Sequence, residues 1–282
     1  MKKISRRSFL AAAGLSVAAL ALTACGGSSS TASSAAASSV ASSAAASSEA
    51  ASAAATELTT VEAGKLTMAT NAAFPPYEMT TDAGEFEGID IETAQAIADK
   101  LGLELQIDDM DFDAALLSVQ QGKADIVMAG VTVTDERKAV MDFSDSYATG
   151  IQSIIVPEGS DIASPDDLAG KKIGTQRGTT GYIYCSDDFG DDSVVAYDDG
   201  LTAVQALNNG QVDAVVIDNA PAQEFVAANP GLKILDTSYA EEDYAIGMAK
   251  NSPLEDAVNS ALEELKADGT LQAIVDKYIT AE

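Results

Sequence analysis

Arg137 is the residue best suited to bind a carboxylate. It closes the run Thr132-Val-Thr-Asp-Glu-Arg137, on a loop that leaves a predicted strand. Its planar guanidinium can donate two parallel hydrogen bonds to a carboxylate, whereas a lysine offers only a point charge. The alternative is a helix-surface arginine paired with Asp135 or Glu136. Because only 16 of the 282 residues are Lys or Arg, we favour a binding role.

Asp218 is suited to bind the opposite charge. It ends the apolar run Ala214-Val-Val-Ile217, which predicts a buried strand. A carboxylate at the carboxyl end of such a strand suits an ammonium group. The alternative is that Asp218 caps the helix that contains Pro221. With Arg137, it predicts a site for a small dipolar molecule.

A glycine-threonine loop offers a further anion site. The run Gly178-Thr179-Thr180-Gly181 follows a predicted strand and opens a predicted helix. Free N–H groups at a helix start bind anions. The alternative is a plain helix cap.

The composition excludes several functions. The chain has 16 Lys+Arg against 44 Asp+Glu, a formal charge of −28, no His and two Cys. Because such an acidic surface repels phosphate, we expect no nucleic-acid partner. Without His there is no Ser-His-Asp triad and no imidazole ligand for a metal. The acidic run from Asp109 lacks a calcium loop's glycine and glutamate, since Ala114 and Gln120 stand there. We therefore predict no metal site and no cofactor.

Residues 1–25 have the pattern of an export signal. Four basic residues precede position 8, and 16 uncharged residues follow at 9–24. This stretch is shorter than the roughly 20 residues of a membrane span. The sequence Leu22-Thr23-Ala24-Cys25 resembles the lipobox of bacterial lipoproteins, which implies lipidation of Cys25. The alternative is an ordinary signal peptide with an incidental Cys, and the export route, Sec or twin-arginine, stays open.

Residues 26–56 consist almost entirely of Ser and Ala, with a single charge at Glu49. Such a segment has no apolar period and cannot build a core. As a flexible chain it would span about 30 Å r.m.s., which suits a stalk that holds a folded domain away from a membrane. The alternative is a weak alanine-driven helix.

From position 57 on, short apolar runs alternate with helical patterns, which predicts an α/β protein with parallel strands. Cys185 lies within this region and is expected to be a small buried residue. The predicted strands are at 65–69, 103–107, 125–129, 172–175 and 214–217, and the main predicted helices are at 90–101, 112–121, 253–267 and 270–278.

A weak repeat indicates two similar halves. A helix, then Gly-x-x-Asp, then an apolar strand occurs at Gly122 and Asp125 and again at Gly210 and Asp213. Coincidence is the alternative, since this arrangement is common. Two such α/β lobes would form a cleft at the carboxyl ends of their strands, where ligands bind.

Several motifs in order resemble the bacterial extracellular solute-binding proteins of the polar amino acid type, the receptors of ABC importers, over about 65–278. The resemblance implies a two-lobed, periplasmic-binding-protein-like (type II) fold with a hinge and an inter-lobe ligand cleft. The implied first lobe is 57–154 plus 241–282, and the second is 155–240. The motifs include Ala69-Thr-Asn-Ala-Ala-Phe-Pro-Pro-Tyr77, Phe86-Glu-Gly-Ile-Asp90, Gly122-Lys-Ala-Asp125, Thr132-Val-Thr-Asp-Glu-Arg137, Met141-Asp-Phe-Ser-Asp-Ser-Tyr147, Gly178-Thr-Thr-Gly181 and Lys277-Tyr278.

The same resemblance implies roles for individual residues. Arg137 and Thr132 would bind the α-carboxylate from the first lobe, Thr180 would bind it from the second, and Asp218 would bind the α-ammonium. Phe74 and Phe112 would line the pocket, where a ring can pack on a ligand side chain or a cation. The implied ligand-binding set is Asn71, Phe74, Phe112, Gly130, Thr132, Arg137, Thr179, Thr180 and Asp218.

Three positions bear on the ligand side chain. Asn71 stands where relatives that bind basic amino acids often carry an acid, which argues against lysine or arginine. Tyr77, after two prolines, is a weaker pocket candidate. Arg177 could meet an acidic or amide side chain, although a solvated arginine is the alternative.

The resulting hypothesis is a monomeric, extracytoplasmic binding lipoprotein, attached to the cell membrane through its lipid. It would capture a polar amino acid by lobe closure and deliver it to ABC permease subunits, without being an enzyme. Two alternatives stay open. One is an enzyme that resembles cyclohexadienyl dehydratase on the same scaffold, and the other is a ligand-sensing receptor module.

Overall fold

The computed structural model describes residues 58–279. The predicted export signal at 1–25, with Cys25, and the linker at 26–56 lie outside the described residues. The strands are β1 Lys65–Thr70, β2 Ala73–Phe74, β3 Glu78–Thr80, β4 Phe86–Glu87, β5 Glu104–Asp109, β6 Ile126–Val127, β7 Met141–Phe143, β8 Ala148–Pro157, β9 Ile173–Gln176, β10 Val194–Tyr197, β11 Ala214–Asp218, β12 Leu232–Ile234, β13 Ala240–Tyr244 and β14 Gly247–Ala249. The α-helices are α1 Ile89–Leu101, α2 Phe112–Gln120, α3 Asp135–Val140, α4 Thr180–Phe189, α5 Gly200–Asn208, α6 Asn219–Ala228, α7 Glu255–Ala267 and α8 Thr270–Tyr278.

The first lobe is built on a five-stranded sheet in the order β5-β1-β6-β14-β7. β1 pairs in parallel with β5 and β6, whereas β14 runs antiparallel to β6 and β7. Alternate residues of β1 serve different cores, because strand side chains alternate between faces. Leu66 and Met68 pack in the cluster with α1 and α7, and Ala69 packs in the cluster with Phe112 of α2. A small sheet β2-β3-β4 completes this lobe.

The second lobe repeats this arrangement. Its sheet has the order β10-β9-β11-β8-β12, with β13 also paired to β8. β9 pairs in parallel with β10 and β11, and β8 runs antiparallel to β11. The strand order β10-β9-β11 of the second lobe therefore corresponds to β5-β1-β6 of the first. Next to these three parallel strands, each sheet has an antiparallel strand that is not consecutive with them in sequence, β14 in the first lobe and β8 in the second.

The weak sequence repeat has a structural counterpart. Asp125 donates its N–H to the Thr67 carbonyl at 2.9 Å, and its carboxylate accepts the Thr67 N–H at 2.8 Å. Asp213 does the same with Lys172, at 2.8 Å in both directions. In each lobe these two hydrogen bonds hold the residue before one strand (β6 or β11) against the N-terminal part of the neighbouring strand (β1 or β9). This shared structural role explains why the Gly-x-x-Asp pattern occurs twice.

The chain passes between the two sheets twice, once between Phe143 and Ala148 and once between Tyr244 and Gly247. The two crossing segments lie side by side, because Tyr244 pairs with Ala148 in the antiparallel ladder of β13 and β8. The lobe limits expected from the sequence, 154/155 and 240/241, fall within β8 and beside the start of β13, and they stay predictions.

Some predicted elements differ at their ends. Helix α7 begins at Glu255 rather than at Pro253, since the Ser252 hydroxyl accepts the Leu254 N–H at 3.2 Å and forms a turn. The strand expected at 125–129 has only two residues, Ile126–Val127. The longest α-helices of residues 58–279 have 13 residues, and no helix described there is long and apolar enough to cross a bilayer.

Candidate functional site

A cavity lies between the two lobes. Several lining residues stand at the carboxyl ends of parallel strands, which is where ligands bind in open α/β sheets. All nine residues of the predicted ligand-binding set line this one cavity. The full lining is Asn71, Phe74, Glu78, Phe112, Ala129, Gly130, Thr132, Arg137, Gln152, Gln176, Thr179, Thr180, Val216, Ile217, Asp218 and Tyr244.

Arg137 is fixed by contacts from both lobes. It is 8% exposed. Its Nη1 donates to the Thr132 carbonyl at 2.7 Å, and its Nη2 donates to the Gly178 carbonyl of the second lobe at 3.2 Å. The guanidinium carbon lies 5.3 Å from the centre of the Phe112 ring. The alternative of a surface arginine therefore does not hold, and no ion pair joins Arg137 to an acid within 58–279.

Helix α3 positions this arginine. Thr134 caps the helix and accepts the Arg137 N–H at 3.1 Å, so the side chain leaves the first turn towards the cavity. Burial lowers the pKa of Arg137, while the negative charge of Glu242 raises it. An arginine stays protonated even so. The cavity thus contains a permanent positive charge that forms no ion pair with any carboxylate of residues 58–279.

Threonine hydroxyls meet across the cleft. The Thr132 and Thr180 hydroxyl oxygens are 3.4 Å apart, and the Thr132 hydroxyl donates to Glu242 at 3.0 Å. Thr179 caps α4, because its side chain accepts the Tyr182 N–H at 3.3 Å. The alternative interpretation of this loop as a helix cap is therefore correct for Thr179. Thr179 also lines the cavity, because α4 begins at the cavity wall.

Asp218 lines the cavity from the second lobe and is 1% exposed. Its carboxylate accepts the Ile151 N–H at 2.7 Å and the Ala220 N–H at 3.1 Å, so it also caps α6. Burial raises the pKa of Asp218 to about 6, although hydrogen bonds from Tyr244 and from these two N–H groups lower it. The capping alternative is thus correct, and it leaves the carboxylate facing the same cavity as Arg137.

Asn71 is engaged in contacts of its own. Its Nδ2 donates to the Met110 carbonyl at 3.0 Å, and its Oδ1 accepts from Gln176 of the second lobe at 2.7 Å. The Asn71 side chain therefore joins the two lobes at the cavity wall.

Aromatic rings form part of the cavity wall. Phe74 stacks on Tyr77 with ring centres 5.8 Å apart, and Tyr77 meets Tyr244 edge-on at 5.4 Å. Gly130 has a φ of +54°, and a Cβ there would lie 2.8 Å from the Phe74 ring. Only glycine fits this position without moving the ring. Tyr77, the weaker candidate, packs behind Phe74 and is not among the lining residues.

Two other candidates lie away from the cavity. Arg177 has a half-exposed side chain and pairs with Asp198 at 3.4 Å, so the solvated alternative is correct. Cys185 is buried, as expected.

Sequence reasoning missed four polar lining residues: Glu78, Gln152, Gln176 and Tyr244. Glu78 carried a usable signal, since it is a lone acid between Tyr77 and Met79 in an otherwise apolar segment. Gln152 and Gln176 lie in buried strands beside other polar residues, Ser153 and Thr175, so neither carries a specific signal.

Two α/β lobes joined by a pair of crossing segments, with a buried polar cavity between them, define the architecture of a two-lobed solute-binding protein. Residues 66–281 match the family of bacterial extracellular solute-binding proteins, family 3. Since this match spans most of the chain, the protein belongs to that family.

The chain is similar to several known proteins. It is 34% identical over 226 residues to the L-cystine-binding protein TcyJ of Escherichia coli strain K12, covering 78% of this chain and 85% of TcyJ. It is 32% identical over 279 residues to a probable histidine-binding protein of Neisseria gonorrhoeae, covering 96% and 95%. Its fold is similar to that of the arginine-, lysine-, histidine-binding protein ArtJ of Geobacillus stearothermophilus, with a TM-score of 0.74, 34% identity, and coverage of 77% of this chain and 96% of ArtJ.

Proposed function

We propose that this protein captures a polar amino acid between its lobes and delivers it to the permease subunits of an ABC importer. One observation carries the proposal: Arg137 of the first lobe and Asp218 of the second line the same buried cavity. A free amino acid has a carboxylate and an ammonium group to match these two charges. The relatives named as binding proteins for cystine, histidine and arginine support this ligand class.

Lobe closure is the proposed means of capture. Contacts such as Arg137 to Gly178 and Thr132 to Thr180 exist only while the lobes meet. A ligand held by groups of both lobes binds the closed state better than an open one, and it therefore shifts the population towards closure.

The proposal extends to location and assembly. Membership in an extracellular solute-binding family supports an extracytoplasmic site of action. The lipobox-like sequence at Cys25 supports attachment to the cell membrane through a lipid, at the end of the Ser/Ala-rich linker. A monomer is sufficient, because every cavity-lining group named above belongs to one chain. A Cys25→Ser variant should leave the membrane fraction; retention there would contradict the anchor.

We propose binding without catalysis, in line with relatives that are named as binding proteins. The dehydratase alternative requires turnover of a cyclic amino-acid precursor, which an activity assay detects directly. The receptor alternative requires a signalling partner rather than a permease, and co-purification from membranes distinguishes the two.

A thermal-shift screen of the 20 amino acids and cystine tests the function. A ligand at 100 times its dissociation constant adds about 2.7 kcal/mol of stability, which gives a clear rise in melting temperature. Calorimetry on the hits should then give a 1:1 complex. A screen without any stabilising amino acid would contradict the proposal.

A further inference from the structure

Tyr244 is a buried tyrosine at the point where the chain leaves the sheet of the second lobe. It is the last residue of β13, is 1% exposed and lines the cavity. Its carbonyl accepts the Tyr147 N–H at 2.9 Å, and the next residue, Ala245, donates its N–H to the Val131 carbonyl at 3.1 Å. The backbone at Tyr244 is therefore held between the other crossing segment and the loop that carries Thr132.

Two glycines make room for the Tyr244 ring. A Cβ at Gly150 of β8 would lie 2.5 Å from the Cζ atom of Tyr244 and 2.7 Å from its hydroxyl oxygen. A Cβ at Gly130 of the first lobe would lie 3.2 Å from the other edge of the ring, at Cε2. Tyr77 meets the ring edge-on at 5.4 Å. The ring is thus confined from several sides, which fixes the position of its hydroxyl.

The Tyr244 hydroxyl donates a hydrogen bond to the Asp218 carboxylate. Burial, together with the negative charge of Asp218, raises the pKa of Tyr244 well above its ordinary value, so the hydroxyl keeps its proton and remains a donor. Asp218 also accepts the N–H groups of Ile151 and Ala220. Because a carboxylate has about four acceptor sites, these donors leave about one site for a ligand.

The other charged and titratable groups around this pair do not replace the Tyr244 hydroxyl. Glu242 of β13 acts on Asp218 and on Tyr244 through its negative charge, which disfavours an ionised Asp218. Burial raises the pKa of Tyr77, so this neighbour stays neutral. Arg137 donates its hydrogen bonds to two backbone carbonyls rather than to Asp218. The Tyr244 hydroxyl is thus the side-chain group that stabilises the ionised carboxylate by a hydrogen bond.

We propose that Tyr244 is a positioning residue for the amino-acid ligand: its hydroxyl orients the Asp218 carboxylate so that the remaining acceptor site receives the α-ammonium group. This inference rests on the proposed function, in which Asp218 binds that group. The hydroxyl aids binding in two ways. It orders the carboxylate before the ligand arrives, and it keeps Asp218 ionised at a lower pH than burial alone would permit.

Tyr244→Phe tests the role, because it removes the hydroxyl and keeps the ring. The affinity of the wild type for an amino acid should fall in acid with a midpoint near pH 6, where Asp218 takes up a proton. In Tyr244→Phe this midpoint should rise by about 1–2 pH units, since a hydrogen bond to a charged group is lost. The affinity loss relative to wild type should therefore reach about tenfold or more at pH 5 and be smaller at pH 8. Calorimetry with one amino acid that binds the wild type measures the profile.

Tyr239→Phe is the matched control. Tyr239 is also buried, and its hydroxyl donates to the Asp188 carboxylate at 2.7 Å, away from the residues that line the cavity. Its loss should leave the midpoint of the affinity profile unchanged. The double variant Asp218→Asn/Tyr244→Phe shows whether Tyr244 acts through Asp218. Its pH profile should equal that of Asp218→Asn alone.

The outcomes separate this proposal from the function on which it rests. If no amino acid binds the wild type, the receptor function fails, whatever Tyr244 does. If the wild type binds and Tyr244→Phe loses the same affinity at every pH, Tyr244 has only a structural role and the proposal is wrong. Should Tyr244→Phe not fold, Gly150→Ala is the second variant, because its Cβ would displace the hydroxyl while residue 244 stays a tyrosine. It should raise the midpoint in the same direction, and an unchanged midpoint would overturn the role of Tyr244.

Discussion

Gln176 of the second lobe donates a 2.7 Å hydrogen bond to the side-chain oxygen of Asn71 in the first lobe. Gln176 also donates to the Asp198 carbonyl at 3.3 Å, and Asn71 donates to the Met110 carbonyl. Both amides are therefore oriented within their own lobes before they meet. This contact forms at the cavity wall and belongs to the closed arrangement of the lobes.

Gln176→Ala should weaken ligand binding mainly by speeding dissociation. A neutral hydrogen bond contributes about 0.5–1.5 kcal/mol, so we expect an affinity loss of roughly 2- to 12-fold, with the association rate nearly unchanged. Stopped-flow fluorescence with a bound amino acid measures both rates. Gln95→Ala removes an exposed hydrogen bond to Asp99 within α1 and is the control. A slower association with normal dissociation would contradict this role in closure.

Arg137→Ala should nearly abolish amino-acid binding. Removing one partner of a buried charge pair costs about 2–5 kcal/mol, and calorimetry should show a corresponding loss for every amino acid that binds. Arg137→Lys keeps the charge without the planar fork, and we expect it to recover only part of the affinity.

Arg177→Ala is the matched control for Arg137, since this side chain is half exposed and pairs with Asp198 outside the cavity. Its affinity should stay within about twofold of wild type, because exposed ion pairs contribute little. Equal losses in both variants would point to a general charge effect and not to a specific carboxylate contact.

The sequence predicted those parts of the site that depend on local pattern. Arg137 and Asp218 were found because a charged residue beside a buried strand or at its end is visible in a single segment. The same holds for Thr179 and Thr180 at a helix start. The fold class followed from the alternation of strands and helices, and the two lobes followed from the Gly-x-x-Asp repeat.

The residues that were missed depend on contacts between distant segments. Gln176 reaches Asn71 across 105 positions, and Gln152 reaches Glu242 across 90. No local period marks a glutamine that meets a partner so far along the chain. The expectation from Asn71, which argues against lysine or arginine as the ligand, stays a prediction.

Gly130→Ala should reduce both affinity and stability. The new Cβ would lie 2.8 Å from the Phe74 ring and 3.2 Å from Tyr244, at a φ of +54°. The left-handed backbone alone costs about 1–2 kcal/mol for a residue with a side chain. Displacement of Phe74 into the cavity should lower affinity by a further factor of about 10 or more, as overpacking of about 1–3 kcal/mol implies. Denaturant unfolding and calorimetry measure the two effects.

Gly122→Ala separates these two effects. This glycine has a φ of +65°, and a Cβ there would meet nothing within 4 Å. It should therefore lose similar stability from the backbone and keep wild-type affinity. Unchanged affinity in Gly130→Ala would show that Phe74 does not shape the binding cavity.

The raised pKa of Asp218 should make the unliganded protein more stable against unfolding in weak acid than at neutral pH. This pKa is raised by burial to about 6, above the ordinary value of about 3.9 in an unfolded chain. The resulting stability is fully present below about pH 4 and is lost as the pH rises through 6, an effect of about 3 kcal/mol. Asp90, with a pKa also raised to about 6, adds a similar dependence. Denaturant curves of wild type and Asp218→Asn between pH 4 and 8 should therefore diverge by the contribution of Asp218 alone.

The same titration should control ligand binding in the opposite direction. An ionised Asp218 attracts the α-ammonium, whereas a protonated one does not, so affinity should fall as the pH drops through about 6. The slope should approach about tenfold per pH unit in the acid limb. Asp218→Asn should bind weakly and lose this component of the pH dependence, with pH 8 affinity well below that of wild type. The measurement is calorimetry from pH 5 to 8 with one amino acid throughout. A pH profile that persists unchanged in Asp218→Asn would assign the titration to another group and remove Asp218 as the ammonium partner.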